Sequence, residues 1–153
     1  MIINNNKRIV NDAFTLIELL VVISIIGILV AVSVFGLAGA RESSRDARRK
    51  ADLELIRSGL ELYEADCNAY PATTKIVSGS ALKGSPPPTI CSASNTYISA
   101  VPADPITGRS YRYATTASGY EICASLEQSG LSAITCGGSS NCGTSCNYKV
   151  TNP

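Results

Sequence analysis

FTLIELLVVISIIGILVAVSVFGLAGA, residues 14–40, is an apolar run of 27 residues with a single charge, Glu18. From Leu19 to Ala40 there are 22 uncharged residues, and a helix needs about 20 to cross a bilayer. No Pro, Asn or Asp directly follows Ala40. The chain passes straight into RESSRDARRKADLELIRSGLELYEAD, residues 41–66, which is rich in helix formers. Within it Leu53, Ile56, Leu60 and Tyr63 recur at spacings of 3, 4 and 3, one stripe of an amphipathic helix. Leu55 and Leu62 widen that stripe, and Gly59 is its weak point. The pattern predicts one helix from about Phe14 to about Asp66, about 80 Å long at 1.5 Å per residue. Its first half is apolar all round; its second half is apolar on one side and needs something to pack on.

The rest of the 153 residues is arranged around that helix. Residues 1–13, MIINNNKRIVNDA, are a short polar leader carrying Lys7 and Arg8. Residues 67–101 hold Pro71, Gly79, Gly84, Pro86, Pro87, Pro88 and many Ser and Thr, and read as a long loop. SYRYATT at 110–116, GYEICASL at 119–126 and LSAITC at 131–136 read as strands, with Ser129-Gly130 as a two-residue turn. CNYKV at 146–150 adds a short last strand. The organisation is a leader 1–13, a membrane helix 14–40, an amphipathic helix 41–66, a loop 67–101, and a sheet with a Cys-rich loop 102–153. The fold class is α+β, a long helix followed by a small antiparallel sheet.

Composition narrows the function. Charged residues make up 16%, against roughly 25% in soluble domains, as an uncharged membrane stretch requires. There is no His, which removes the commonest general base and metal ligand and with them Ser-His-Asp and Cys-His catalysis. A net charge of +1 gives no electrostatic case for nucleic acid. No catalytic constellation and no cofactor site is read. The six cysteines, Cys67, Cys91, Cys123, Cys136, Cys142 and Cys146, include no C-x-x-C pair, so they read as disulfides in an oxidising compartment and not as metal ligands. The tyrosines at 111, 113 and 120 are assigned to sheet packing.

The junction Ala13-Phe14-Thr15-Leu16-Ile17-Glu18-Leu19 resembles the N-terminus of type IV pilins and type II secretion pseudopilins. In that family a basic leader ends in Gly or Ala before Phe, with Glu four residues later at the head of an apolar helix. The resemblance implies a pilin-like fold. It implies that a prepilin peptidase cuts between Ala13 and Phe14 and methylates the new amine. It places the chain in the bacterial inner membrane, single-pass, with the N-terminus cytoplasmic and the C-terminal part outside. From there it implies assembly on an inner-membrane platform into a helical homo-oligomeric filament. A carboxylate inside a membrane helix costs about 2.5–3.5 kcal/mol at the bilayer centre, and a neighbour's Phe14 amine would reduce that cost at Glu18. Residues 45–56 and the segment with Asp104, Pro105, Gly108, Tyr111 and Tyr113 are similar to major pseudopilins. Members of that group bind calcium in the loop that follows. Here no Asp or Glu follows Glu127, and calcium wants carboxylate oxygens, so no metal site is carried over; the Cys-rich tail is read as its disulfide replacement.

Two readings compete with parts of this one. Arg41, Arg45, Arg48, Arg49 and Lys50 follow the span, which favours a cytoplasmic C-terminus by the positive-inside rule. Interleaved Glu42, Asp46 and Asp52 make that run the solvated collar of a helix instead. Ala38-Gly39-Ala40 is an A-x-A site, so a secreted disulfide-rich binding module cleaved after Ala40 is the alternative. Pilus and secretion pseudopilus stay open. Six cysteines allow 15 connectivities. A two-residue loop at 129–130 would place Cys123 opposite Cys136, and the remaining pairs are then assigned as Cys67–Cys91 and Cys142–Cys146.

Overall fold

The structure is a computed structural model that describes residues 14–85, 91–128, 130–139 and 141–152. One helix, α1 (Leu16–Cys67), is followed by a short 3₁₀ turn (Thr73–Lys75) and five strands. These are β1 (Leu82–Lys83), β2 (Thr96–Ile98), β3 (Arg112–Thr116), β4 (Gly119–Ala124) and β5 (Tyr148–Thr151). The chain divides into two units, residues 1–39 and residues 40–153. The first, where described, is the apolar half of α1. The second holds the rest of α1, both sheets and all the cysteines. This is the α+β arrangement of helix, antiparallel sheet and disulfides that a pilin-like fold implies.

α1 persists because no Pro interrupts residues 16–67 and because its second half buries one face. Leu53, Ile56 and Leu60 are fully buried and Tyr63 nearly so, each contributing roughly 1.5–3 kcal/mol. The helix stops where Asn68 takes a left-handed conformation, φ 51°, and its N–H reaches the Glu64 carbonyl at 2.7 Å. Asn tolerates that conformation, and Pro71 then prevents resumption.

β3, β4 and β5 form one antiparallel sheet with β4 central. β3 and β4 meet Tyr113 to Ile122 and Thr116 to Gly119, and β4 meets β5 Ile122 to Val150. Alternation along β4 serves two layers. Tyr120, Ile122 and Ala124 join the α1 stripe, with Tyr111, Tyr113 and Val150, in one core. Cys123 joins Cys142, Cys146, Ile134 and Cys136 in a second cluster. Glu121 anchors the covering segment: its carboxylate accepts from the Gly137 N–H and from Lys149 Nζ.

Several sequence expectations need correction. The stretch read as loop, 67–101, contains a two-stranded ribbon, β1 with β2, pairing Leu82 with Ile98. LSAITC is not a strand; β4 takes β5 as its second partner. Leu131, Ile134 and Cys136 are out of step for a period of 2, whereas Tyr148 and Val150 are in step. The hairpin register that pointed to Cys123–Cys136 is therefore not the one observed, and Cys123 faces Arg112 and Lys149. The bonded pairs are Cys67–Cys91, Cys123–Cys136 and Cys142–Cys146, with Cα separations of 4.7, 6.5 and 5.4 Å. Leu55 and Leu62 do not widen the stripe. At 3.6 residues per turn they stand roughly 130° from its centre, and both are exposed.

Candidate assembly site

The head of α1 is closed by a reciprocal pair of hydrogen bonds. Thr15 is the N-cap. Its hydroxyl accepts from the Glu18 N–H at 3.3 Å, while the Glu18 carboxylate accepts from the Thr15 N–H at 2.9 Å and from the Thr15 hydroxyl at 2.8 Å. This is a capping box, T-x-x-E, satisfying donors that the first turn leaves without helical partners. Sequence reasoning assigned Glu18 to assembly alone and missed this local role, although the spacing of Thr15 and Glu18 signals it. Phe14 lies just outside the helix and is 84% exposed. Ala13 lies outside the described residues.

Beyond the cap every described large apolar side chain from Leu16 to Leu37 is exposed. The helix is long and apolar enough to cross a membrane by length and composition. Its polar side chains are dealt with internally. Ser24 donates to the Leu20 carbonyl and Ser33 to the Leu29 carbonyl, both at 2.8 Å, so neither hydroxyl needs water.

In residues 40–153 the basic run is not a solvated collar throughout. Arg49 is fully buried. Its guanidinium donates to Asp104 at 2.8 and 3.1 Å, to Asp46 at 2.7 Å and to Glu127 at 2.7 Å. Arg45 adds a bidentate pair with Glu127. Asp46 also accepts the backbone N–H groups of Glu127 and Gln128 at 2.9–3.0 Å. Burial acts to lower the Arg49 pKa, and the bonds from Asp104, Glu127 and Asp46 outweigh it and raise it. The Arg45 hydrogen bond, helped by Arg49 and opposed by burial, holds the Glu127 carboxyl at about 2. The cluster clamps the segments at 104 and 127 onto α1. Two tyrosines continue the clamp: Tyr111 donates to Asp52 at 2.6 Å and Tyr120 to Glu61 at 2.7 Å. Burial and then these carboxylates push both phenols up.

A family model described as the prokaryotic N-terminal methylation motif matches residues 11–34. A second, type II secretion system protein G, matches residues 37–132, more than half of the chain. The chain belongs to the type II secretion system protein G family. Curated relatives named type II secretion system core protein G agree. The Escherichia coli protein is 32% identical over 60% of this chain and 64% of its own length. The Vibrio cholerae protein is 31% identical over 65% and 68%, and the Pseudomonas aeruginosa protein 33% over 67% and 72%. The chain thus spans less than two thirds of the Escherichia coli relative. No solved structure matches it significantly.

Within this chain the structure brings together what the Asp-Pro segment only hinted at. Asp104, singled out from the sequence as part of a motif, is the bidentate acceptor of Arg49. Gly108, Tyr111 and Tyr113 lie on the stretch leading into and along β3. Arg49 and Asp46 lie four and seven residues before Leu53, in phase with the buried stripe. That phase was the available signal, and their charge hid it. Among the described residues no group of three or more His, Cys, Asp or Glu is placed to hold a metal ion.

Proposed function

We propose that this chain is a structural subunit of a type II secretion pseudopilus. A prepilin peptidase removes residues 1–13, cutting between Ala13 and Phe14, and the new amine is methylated. The chain sits in the inner membrane with its N-terminus cytoplasmic and the Cys-bearing unit outside, surrounded by lipid until an assembly platform extracts it. It polymerises through α1 into a homo-oligomeric filament. The observation that carries this reading is the apolar half of α1: uncovered along its length and carrying one carboxylate, Glu18, at its capped head. After cleavage the Phe14 amine of a neighbour supplies the charge that Glu18 lacks, and the pair sets the axial register. No catalytic role and no cofactor enter this function.

The test separates the cap from the charge pair. Glu18→Gln keeps a capping-box acceptor and loses the charge; Glu18→Ala loses both. Both variants are expected to insert in the membrane and to fail in filament incorporation. Wild-type filament yield from Glu18→Gln would refute the pairing role. Mass spectrometry of the mature N-terminus is expected to give methylated Phe14; Arg41 would mean the secreted module instead, and Met1 an uncleaved anchor.

A further inference from the structure

We propose that the Cys-rich tail, described over residues 130–139 and 141–147, is a redox-dependent brace that sets the Arg49 clamp without a metal ion. The clamp draws two of its acceptors from loops outside α1: Asp104 before β3 and Glu127 after β4. The tail holds both loops. Ser110 donates its N–H to the Asn141 carbonyl at 2.8 Å, and Asn141 Nδ2 donates to the Gly108 carbonyl at 3.0 Å. On the other loop Leu126 donates its N–H to Asn147 Oδ1 at 2.6 Å, and Asn147 Nδ2 donates back to the Leu126 carbonyl at 2.9 Å. The Asn147 N–H adds a third bond, to the Ala124 carbonyl at 3.1 Å. The next two amides along, those of Glu127 and Gln128, are the ones that donate to Asp46. Between these anchor points the fit is close. A Cβ at Gly137, Gly138 or Gly143 would stand 2.7–2.9 Å from Ala114, Tyr113 or Arg109.

What holds the tail is sulfur. Its described residues form no helix or strand. The core beneath it is Cys123, Cys142 and Cys146, with Cys136 and Ile134 packed against them, and Leu131 is exposed. One half-buried Ile does not offset the ordering of such a segment, so the Cys123–Cys136 bond, which ties its middle to β4, carries it. The calcium ion that the resemblance implies does not fit here. The carboxylates of Asp46, Asp104 and Glu127 are taken by Arg49, Arg45 and backbone N–H groups. Asn141 Oδ1 accepts from the Gly143 N–H and Asn147 Oδ1 from the Leu126 N–H, and the tail supplies no carboxylate side chain. Control passes to thiol chemistry. Cys136 is half-buried and Cys123 fully buried, so a dithiol reductant attacks Cys136 Sγ. The S–S bond breaks, a mixed disulfide forms on Cys136, and the reductant's second thiol releases it. Two electrons and two protons pass to the pair, which becomes two thiols while the reductant becomes a disulfide. The reverse reaction with a disulfide oxidant closes the brace. Wherever thiols stay reduced the two loops are therefore loose, and the clamp sets only in an oxidising compartment. The proposal goes beyond the filament reading and does not depend on it.

Hydrogen exchange of the full chain in detergent reads the two loops directly. In the oxidised chain the amides of Ser110 and of residues 126–128 are expected to be protected, equally in calcium chloride and in EDTA. In Cys123→Ser with Cys136→Ser they are expected to exchange about tenfold faster or more, while residues 53–63 of α1 keep their protection. Asn147→Ala, with every disulfide intact, is expected to speed exchange at residues 126–128 in the same direction, and it decides the matter where the serine variant unfolds throughout. Unchanged exchange in Asn147→Ala, or in a serine variant that stays folded, overturns the proposal. So does protection in the oxidised chain that EDTA removes or calcium raises.

Discussion

Arg49→Ala tests the clamp that joins α1 to the rest of the Cys-bearing unit. The Arg49 side chain is 0% exposed, and those of Asp46, Asp104 and Glu127 are 2%, 2% and 15% exposed. Three carboxylates thus share two cations, Arg49 and Arg45. Removing Arg49 leaves Asp104 without its bidentate donor and Arg45 as the remaining cation of the cluster. Breaking a buried pair from one side costs about 3–5 kcal/mol, a large part of a total of roughly 5–15 kcal/mol. The pH dependence gives a second reading. Glu127 is held at about 2, below its ordinary 4.5. Its contribution is therefore fully present above about 4.5 and is lost as pH falls toward about 2. Without Arg49 the Glu127 carboxyl loses one of the two donors that hold it down, so more of it is protonated at about pH 3 and the penalty of the variant is expected to shrink there. The assay is urea unfolding of the detergent-solubilised full chain, with disulfides intact. Tyrosine emission is the readout, because the chain has 7 Tyr and no Trp. A loss under about 1 kcal/mol at pH 7, less than a third of the expected range, or an equal loss at pH 3 and pH 7, would refute the clamp.

Ile56→Ala removes a fully buried side chain and is expected to cost about 2–5 kcal/mol in the same assay. Gly59→Ala would drive a methyl group into Ile98; it should cost about 1–3 kcal/mol, and Ile98→Val in the same chain should recover part of the loss. A non-reduced digest should yield linked peptides for Cys67–Cys91, Cys123–Cys136 and Cys142–Cys146 and no others. Replacing Cys67 and Cys91 by Ser should lower stability by roughly 3 kcal/mol on the chain-entropy model.

What the sequence revealed, and what it hid, follows from the range of the interactions. The long helix was legible because its signals are local: an uncharged run, an uninterrupted stretch of helix formers, a 3-4-3 stripe. The tyrosine strands were legible by alternation. The Arg49 cluster was not, since two of its three acceptors lie 55 and 78 residues away in the chain, and a buried arginine looks like a surface one in sequence. The third strand was misplaced because LSAITC has enough β-formers to suggest one, while the phase of Leu131 denies it a single apolar face. The Cys123–Cys136 bond illustrates the hazard: the pair named from a hairpin register is the bonded pair, yet that hairpin does not exist. Its cysteines meet because the segment after Glu127 folds back over the far face of β4.

The three disulfides pair the six cysteines consecutively in chain order, first with second, third with fourth and fifth with sixth, with sequence separations of 24, 13 and 4. In the topology proposed above, the Cys-bearing unit crosses the membrane starting from residue 41. Cys91 is then the first thiol to emerge after Cys67, Cys136 the first after Cys123, and Cys146 the first after Cys142. A chain oxidised in order of arrival reaches the native pattern directly, and each closure spans a short loop with little entropy to lose. Export and oxidation can therefore proceed together, with an oxidant required and no isomerase to undo wrong pairs.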